Sequence, residues 1–325
     1  MARAAIIRRT GGPDVIAIED IETGSPGPGE AKVRHEAIAV NFHDIYVRSG
    51  LYPVQHLLPL VLGAEASGVV LETGPDVTNV APGDRVAYAC RPYGAFSEER
   101  LIAADNLVKL PDAIDFRTAA SIMVKGMTAE YLLFRTHKVR AGDTILVHAA
   151  AGGVGQLLCQ WARHLGVTVI GTARGSDKAT IARDAGCTHV IDYSLEDFVT
   201  CVKEITGGTG VSAVYDSVGR DTFFGSLDCL SIRGHLVNFG QSSGPVEGFT
   251  VAQLSEKSLT LSRPVLFHYI ATPAELADVS SHVFRMVQDG ILKVKVNRTY
   301  PLEDAGRAQD DLEQRKTAGA SVILP

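Results

Sequence analysis

Hydrophobic and polar positions follow two different rhythms along the chain, and the change falls near residue 125. Before it, short apolar or alternating stretches are separated by turns rich in glycine and proline, a pattern typical of antiparallel strands. The stretches predicted as strands are Ala4–Ile7, Glu30–Ala39, Gly68–Glu72, Arg85–Tyr88 and Ala95–Ile102. The first part of the chain is therefore predicted to be an antiparallel, partly barrel-like β region.

Beyond residue 125, apolar strand-like runs alternate with helical patterns. Such alternation indicates an α/β domain built on a doubly wound parallel sheet. The predicted strands are Thr144–His148, Val167–Thr172, Val190–Ile191, Ala213–Asp216 and His235–Phe239.

The alternation ends near Arg263, and the tail contains a last predicted helix over Leu302–Arg315. The simplest topology returns this tail to the first domain. We therefore expect a first domain of residues 1–125 plus 264–325 and an inserted second domain of residues 126–263.

A glycine-rich turn, His-Ala-Ala-Ala-Gly-Gly-Val-Gly, follows the first strand of the second domain. Against the template G-x-G-x-x-G, Ala150 takes the first place, Gly152 the second and Gly155 the third. The template needs residues without a Cβ where backbone meets a pyrophosphate and where helix packs on strand, and helix N–H groups then face the phosphates. A tight turn alone also uses glycines, but the βα alternation that follows favours a dinucleotide site. Its residues are Ala151, Gly152, Gly153, Val154 and Gly155.

The end of the second strand of this domain indicates which dinucleotide binds. An enzyme that uses NAD usually has an acidic residue there, which accepts a hydrogen bond from the ribose 2′-hydroxyl. Here the strand tip carries no acid, and Arg174 and Lys178 flank it, while Asp177 lies past the strand. The two cations are either a solvated surface pair or a site for a 2′-phosphate, and their place beside a dinucleotide turn favours the phosphate. The predicted cofactor is NADPH.

Composition and charge narrow the class of protein. The 325 residues exceed the usual size of a single core, and the net charge of −6 opposes a nucleic-acid-binding surface. The five cysteines form no C-x-x-C pair, which favours a reducing compartment over a disulfide framework. No apolar run is long enough for a signal peptide or a membrane span. We expect a soluble, cytoplasmic protein with no nucleic-acid or membrane partner.

Several separate motifs resemble the zinc-free quinone oxidoreductase (zeta-crystallin-like) branch of the medium-chain dehydrogenase/reductase superfamily. They are residues 40–53, Leu62–Gly68, Lys125–Ala129, the glycine-rich turn, Tyr215–Gly219, Phe239–Gly244, Arg263–Pro264, Phe267–Tyr269 and Arg315–Gly319. The resemblance implies a Rossmann domain inserted in a GroES-like domain, and transfer of hydride from NADPH to a quinone. It also implies a homodimer joined at sheet edges, for which Leu259–Ser262 is the candidate strand.

The zinc enzymes of that superfamily need a Cys at or beside the position of Asn41 and a His where this chain has Ala64. A catalytic zinc takes three protein ligands, which His43 and Glu65 alone cannot supply. We therefore expect no metal. Without one, the acceptor must itself be electrophilic, as a quinone or another conjugated carbonyl is.

The resemblance and this chemistry together nominate the site residues. Asn41, Tyr46 and Tyr52 are the candidate donors to the developing oxyanion, and either tyrosine or solvent passes the proton; both tyrosines are also compatible with a packing role. Asn41 is further expected to contact the nicotinamide ribose or carboxamide. The other cofactor contacts implied by the resemblance are Lys125, Thr128, Lys178, Tyr193, Ser217, Gly240, Phe267 and Arg315, the last coupling the two domains across NADPH.

Two alternatives stay open. An enone or alkenal double-bond reductase would use the same fold and cofactor. A crystallin-like or RNA-binding protein is the other, although the acidic balance gives it little phosphate-attracting surface. The sequence also leaves open whether electrons leave NADPH as a hydride or one at a time.

Overall fold

The computed structural model describes residues 1–325 apart from the side chain of Gln55. Its strands are β1 (Ala2–Ile7), β2 (Ile16–Ile21), β3 (Glu30–Ala39), β4 (Leu60–Val61), β5 (Glu65–Thr73), β6 (Arg85–Ala89), β7 (Glu99–Ala103), β8 (Val108–Lys109), β9 (Thr144–Val147), β10 (Thr168–Ala173), β11 (His189–Asp192), β12 (Val211–Asp216), β13 (Leu230–Asn238), β14 (Thr260–Ser262), β15 (Val296–Pro301) and β16 (Ala320–Leu324). Its α-helices are α1 (Phe42–Ser49), α2 (Phe116–Tyr131), α3 (Gly153–His164), α4 (Ser176–Asp184), α5 (Phe198–Ile205), α6 (Phe223–Cys229), α7 (Pro273–Gln288) and α8 (Ala305–Glu313).

The chain folds into two compact units. The first contains Met1–Val124, Ile270–Gln288 and Val294–Pro325, and the second contains Lys125–Tyr269 and Asp289–Lys293. Residues 264–269 and 289–293 thus lie in the second unit, whereas the sequence analysis assigns them to the first domain. The reason is local packing. Tyr269 stacks on Tyr131 with ring centroids 4.4 Å apart, and Lys293 exchanges two backbone hydrogen bonds with the side chain of Gln160.

The first unit contains two sheets. One has the order β2-β1-β4, and the other follows the path β15-β16-β3-β5-β6-β8, with β7 also paired to β3. Every pair is antiparallel except β15 with β16, which agrees with the predicted antiparallel region. The predicted strand Ala95–Ile102 begins later than expected, at Glu99, because the preceding residues cross to the other sheet. There Phe96 O accepts a hydrogen bond from Ala5 N at 2.8 Å.

Two helices of the first half were not predicted. The helix α1 has only eight residues, and its buried positions include the charged Asp44 and Arg48, so a search for an apolar face does not find it. Its ends are nonetheless typical: Asn41 is the N-cap, and Gly50 closes the helix with a φ of 82°, a left-handed conformation that favours glycine. The longer helix α2 begins in the first unit and ends in the second.

The second unit is built on one parallel sheet of six strands, in the order β11-β10-β9-β12-β13-β14. This is the strand order of a doubly wound α/β fold, and it confirms the predicted fold class. Buried Leu146, Ile170 and Val214 from its central strands form the core with Phe223 and Leu227 of α6. No helix among the described residues is both long and apolar enough to cross a bilayer.

Candidate functional site

The glycine-rich turn joins β9 to α3 at the carboxyl edge of the parallel sheet. A Cβ at Gly155 would lie 2.4 Å from the Ala149 carbonyl oxygen, so only glycine fits where the helix meets the turn. Gly152 is the N-cap of α3, and no described side chain caps this end. The N–H groups of Gly153, Val154 and Gly155 have no acceptor within the helix. The turn can therefore hold an anionic group such as a pyrophosphate.

Contacts with the neighbouring strand β10 and with Gln156 of α3 hold the turn rigidly. Ala150 N donates to Thr172 O at 3.0 Å, which ties the turn to β10, and the Ala151 carbonyl accepts from Gln156 Nε2 at 2.7 Å. A Cβ at Gly171 would lie 2.8 Å from the Cβ of Ala150, so β10 passes close beneath the turn. Such contacts fix the N–H groups before any ligand binds.

The tip of β10 carries the predicted selectivity residues. Arg174 is exposed, and Lys178 lies half-buried in the first turn of α4. The structure adds an acid that the sequence analysis missed, because Asp192 at the end of β11 pairs with Ala173. Its carboxylate accepts hydrogen bonds from Ser194 and from Gly175 N at 3.0 Å. The Ser194 and Gly175 bonds, together with the charge of Arg174, lower the pKa of Asp192. The acid therefore orders the loop that carries Arg174.

Other predicted cofactor residues lie at the same edge of the sheet. Tyr193 follows β11 and is 41% exposed, so its ring is accessible to a ligand. Ser217 follows β12, and Gly240 follows β13, where an added Cβ would lie 2.6 Å from Ser217 O. Buried Asp216 orders this corner by accepting from Val218 N at 2.7 Å. Phe267 lies in a 3-10 turn after β14.

Three remaining cofactor candidates lie on or beside helices. Lys125 and Thr128 are both buried on α2, one turn apart. Arg315 is exposed and belongs to the first unit. It follows α8, which ends at Glu313, so the predicted helix to residue 315 is two residues too long. Arg315 has a φ of 59° where helices usually place glycine. Keeping a side chain in that conformation costs about 1 kcal/mol relative to glycine.

In the first unit, Asn41 is held on two sides. Its backbone N donates to Asp44 Oδ2 at 2.8 Å, which fixes the start of α1. Its side-chain Nδ2 donates to Glu65 Oε2, also at 2.8 Å. Glu65 is fully buried, and its other oxygen accepts from Val124 N at 2.6 Å. Glu65 thus sets the orientation of the Asn41 amide, a role that the sequence analysis did not assign.

An aromatic cluster lies beside Asn41 and consists of Phe42, His43, Tyr46, Tyr52 and Tyr93. The Tyr46 and Tyr52 rings meet edge to face at 5.3 Å, and the His43 ring lies 5.3 Å from that of Tyr52. His43 Nε2 is 3.0 Å from the hydroxyl of Tyr93. Burial, and then the charge of the Arg91 guanidinium, lowers the pKa of His43 to about 3. The His43 ring is therefore neutral at physiological pH, and the cluster offers flat apolar faces with hydroxyl groups.

The donor set of the first unit is poor for zinc. Ala64 stands next to Glu65 where a histidine ligand would be needed. Burial raises the pKa of the Cys90 thiol, so it stays protonated and binds metal weakly. Within the described residues, no three His, Cys, Asp or Glu side chains cluster closely enough to hold a metal ion.

Two family descriptions match the chain in succession. Residues 27–141 match the alcohol dehydrogenase GroES-like domain, and residues 153–282 match the zinc-binding dehydrogenase family.

Complete relatives match from end to end. A quinone oxidoreductase of Pseudomonas aeruginosa is 47% identical, with all of both chains covered. A 2-haloacrylate reductase of a Burkholderia species is 46% identical over the whole of this chain and 99% of the relative. Among solved structures, Escherichia coli quinone oxidoreductase complexed with NADPH superposes with a TM-score of 0.97 at 45% identity, again over all of both chains.

Proposed function

Because the chain belongs to the quinone oxidoreductase branch of the medium-chain dehydrogenase/reductase superfamily, we propose that it reduces quinones with NADPH. The observation that carries the proposal is the uncapped start of α3 with Arg174 and Lys178 at the neighbouring strand tip. Together they offer one site for a pyrophosphate and another for a 2′-phosphate. An NADPH-complexed relative has the same fold over its whole length.

The residues of the second unit fit NADPH. Gly155 leaves no room for a Cβ, and the N–H groups of the first turn of α3 are directed at the pyrophosphate position. We assign the adenosine end to Tyr193 and the nicotinamide end to Thr128 and Lys125. When bound, NADPH supplies a hydride at the nicotinamide C4. The protein contributes orientation of the two reactants.

On the substrate side, we assign Asn41, Tyr46 and Tyr52 to the quinone. The apolar faces of the aromatic cluster suit a flat conjugated ring. The tyrosine hydroxyls can donate hydrogen bonds to the oxygen that becomes negative as the ring is reduced. A tyrosine or solvent then gives that oxygen its proton, which completes the hydroquinone. His43 is neutral and is not the source of this proton at neutral pH.

We also propose that the reaction needs no metal. The Asn41 amide is committed to Glu65, and Ala64 has no donor atom, so the two positions at which zinc relatives place ligands cannot hold one. A quinone is electrophilic enough without a Lewis acid, since reduction restores an aromatic ring.

A panel of acceptors tests the proposal. NADPH oxidation is followed with a benzoquinone, a naphthoquinone, an enone and an alkenal, and NADP⁺ reduction is followed with a simple alcohol. We expect rapid turnover of the quinones, no turnover of the alcohol and no loss of activity after dialysis against a chelator. Turnover of the alcohol alone, or a requirement for metal, would overturn the proposal.

A second candidate function is reduction of a conjugated carbon–carbon double bond. The 46% identical 2-haloacrylate reductase favours it, because the same fold there acts on an activated alkene. In that reaction a hydride adds to the carbon β to the activating group, and a proton adds to the α carbon. Including 2-chloroacrylate in the panel distinguishes the two candidates.

We further propose that the protein is a cytoplasmic homodimer. All five cysteines are unpaired thiols, which suits a reducing compartment. The strand β14 is the last of its sheet, and exposed apolar side chains, Ile232 and Val251, occur in the same unit. An open sheet edge with apolar neighbours favours pairing with a second copy. Light scattering during size-exclusion chromatography measures the mass, and a monomer would contradict this proposal.

A further inference from the structure

Arg48 is a charged side chain in the interior of the first unit, with only 1% of its surface exposed. It lies in the last turn of α1, and all three of its nitrogen groups donate hydrogen bonds. Nε donates to Gly11 O at 3.2 Å, Nη1 to Gln309 Oε1 at 3.0 Å and Nη2 to Glu313 Oε2 at 2.7 Å. Its partner Glu313 keeps 43% of its side chain exposed, so the ion pair is only partly buried and adds little net stability against the cost of burying the guanidinium. Stability alone therefore does not explain why a guanidinium is buried here.

The two helices joined by this pair carry residues assigned to the site. Tyr46 precedes Arg48 by two residues on α1, and its carbonyl accepts from Tyr52 N at 2.9 Å, so both tyrosines follow the position of α1. At the other end, Glu313 is the last residue of α8, and Arg315 follows two residues later. Each partner of the ion pair is thus two residues from a residue assigned to the substrate or the cofactor.

Glu313 and Arg315 lie together where α8 ends. Arg315 has the left-handed φ of 59°, and its N donates to Leu312 O at 3.1 Å in a helix-closing turn. The half-exposed Glu313 is held in the same turn by the buried Arg48. A shift of α1 would pull on Glu313 and change the direction in which Arg315 leaves the helix.

We propose that Arg48 and Glu313 are a positioning pair that couples the quinone-binding tyrosines to the cofactor-binding arginine, Arg315. This inference rests on the proposed function, because it takes Arg315 as a phosphate contact and Tyr46 and Tyr52 as quinone contacts. Engagement of Arg315 by NADPH orders the end of α8, and the ion pair passes that order to α1. Since coupling between two ligands is reciprocal, a quinone analogue also tightens NADPH binding through the pair.

A double-mutant cycle tests the coupling. The NADPH dissociation constant is measured by fluorescence titration for the wild type, Glu313→Gln, Arg315→Ala and the double variant. We expect Glu313→Gln to weaken NADPH binding about fivefold alone and less than about twofold in the Arg315→Ala background, because residues that act through one another are not additive. The control Arg298→Gln breaks the ion pair to Asp311 of α8 (2.9 Å), which joins that helix to β15 instead of α1. It should change NADPH affinity less than about twofold.

Steady-state kinetics supply a second readout. Arg48→Lys keeps the charge but loses the forked contact, and we expect it to lower kcat/KM for the quinone several-fold, because both the ring faces and the hydroxyl groups of the tyrosines would shift. Equal effects of Glu313→Gln in both backgrounds, or a lower melting temperature with unchanged constants, would overturn the positioning pair. If the wild type binds NADPH but reduces no quinone, the proposed function fails. The titration cycle still decides the coupling between Glu313 and Arg315.

Discussion

We predict that selectivity for NADPH over NADH depends on two cations, Arg174 just after β10 and Lys178 in the first turn of α4. The perturbation that tests it is Arg174→Ala and Lys178→Ala, singly and together. A charge-assisted hydrogen bond contributes roughly 1.5–3 kcal/mol, and an exposed ion pair about 1 kcal/mol or less. Because Arg174 is exposed and Lys178 half-buried, we take about 1 kcal/mol for each.

These energies convert directly into kinetic constants. Each single variant should raise KM for NADPH about fivefold, and the double variant about 30-fold, since about 1.4 kcal/mol corresponds to tenfold. KM for NADH, which has no 2′-phosphate, should change less than about twofold. The preference should also shrink as ionic strength rises, because exposed charges are screened.

The assay is NADPH or NADH oxidation at a saturating quinone concentration. Arg183→Ala is the matched control, because Arg183 is an exposed cation in the last turn of the same helix, α4. It should leave both KM values unchanged. If Arg174→Ala and Lys178→Ala raise KM equally for NADPH and NADH, the 2′-phosphate assignment is wrong, and the cations serve only to order the loop.

Three further predictions concern the packing around the site. Gly155→Ala should destabilise the fold by roughly 1–3 kcal/mol and abolish tight NADPH binding, since the new Cβ would lie 2.4 Å from Ala149 O. Urea unfolding measures the loss of stability, and titration with NADPH measures the loss of affinity. A variant with wild-type affinity would contradict the inference that only glycine fits this turn. Glu65→Gln should lower the free energy of unfolding by roughly 1–3 kcal/mol and lower quinone turnover, because the new amide cannot accept hydrogen bonds from both Asn41 Nδ2 and Val124 N. Unchanged urea unfolding and unchanged turnover would argue against Glu65 as the residue that orients Asn41. Burial lowers the pKa of His35 from 6.5 to about 4, so the folded state favours the neutral ring, and this contribution to stability is complete above pH 6.5 and falls as the pH drops towards 4. His35 alone should contribute about 2 kcal/mol to the difference between urea unfolding at pH 7 and at pH 4.5, in addition to His43 and His235, whose pKa values burial also lowers. The variant His35→Gln should reduce the difference by about that amount, and an unchanged difference would contradict the prediction.

The second unit could be predicted well from the sequence because its information is local. Each parallel strand is a short apolar run, and the alternation with helices repeats at regular spacing. The phosphate turn lies within eight consecutive residues, and its glycine requirements come from backbone atoms of the same segment. Asp192 was missed because its importance depends on which strand lies beside β10. The register that pairs Asp192 with Ala173 is fixed only when the sheet forms, so it cannot be deduced from the neighbouring sequence.

The first unit was predicted less completely, for the opposite reason. The helix α1 is short and buries the charged Asp44 and Arg48 beside apolar residues, so its burial cannot be deduced from the polarity of its sequence. The strand expected over Ala95–Ile102 is interrupted because Phe96 pairs with Ala5, a contact between two sheets that no local pattern encodes. Nothing in the neighbouring sequence marks Arg48 as buried, because its partners Gln309 and Glu313 lie 261 and 265 residues away.

The distinction between local and distant sequence information also applies to the chemistry of the proposed cofactor and substrate sites. A pyrophosphate is bound by backbone N–H groups, so a glycine pattern between a strand and a helix predicts a site for it. On the proposed substrate side, side chains are oriented by partners that are distant in the sequence, as Glu65 orients the amide of Asn41. Arg315 combines local and distant information. Its neighbours in sequence form an ordinary helix end, but an arginine in the left-handed position usually taken by glycine is a local cost. That cost has a physical explanation if the side chain binds a phosphate. The left-handed backbone thus adds a structural argument for a residue that the motif Arg315–Gly319 had already nominated.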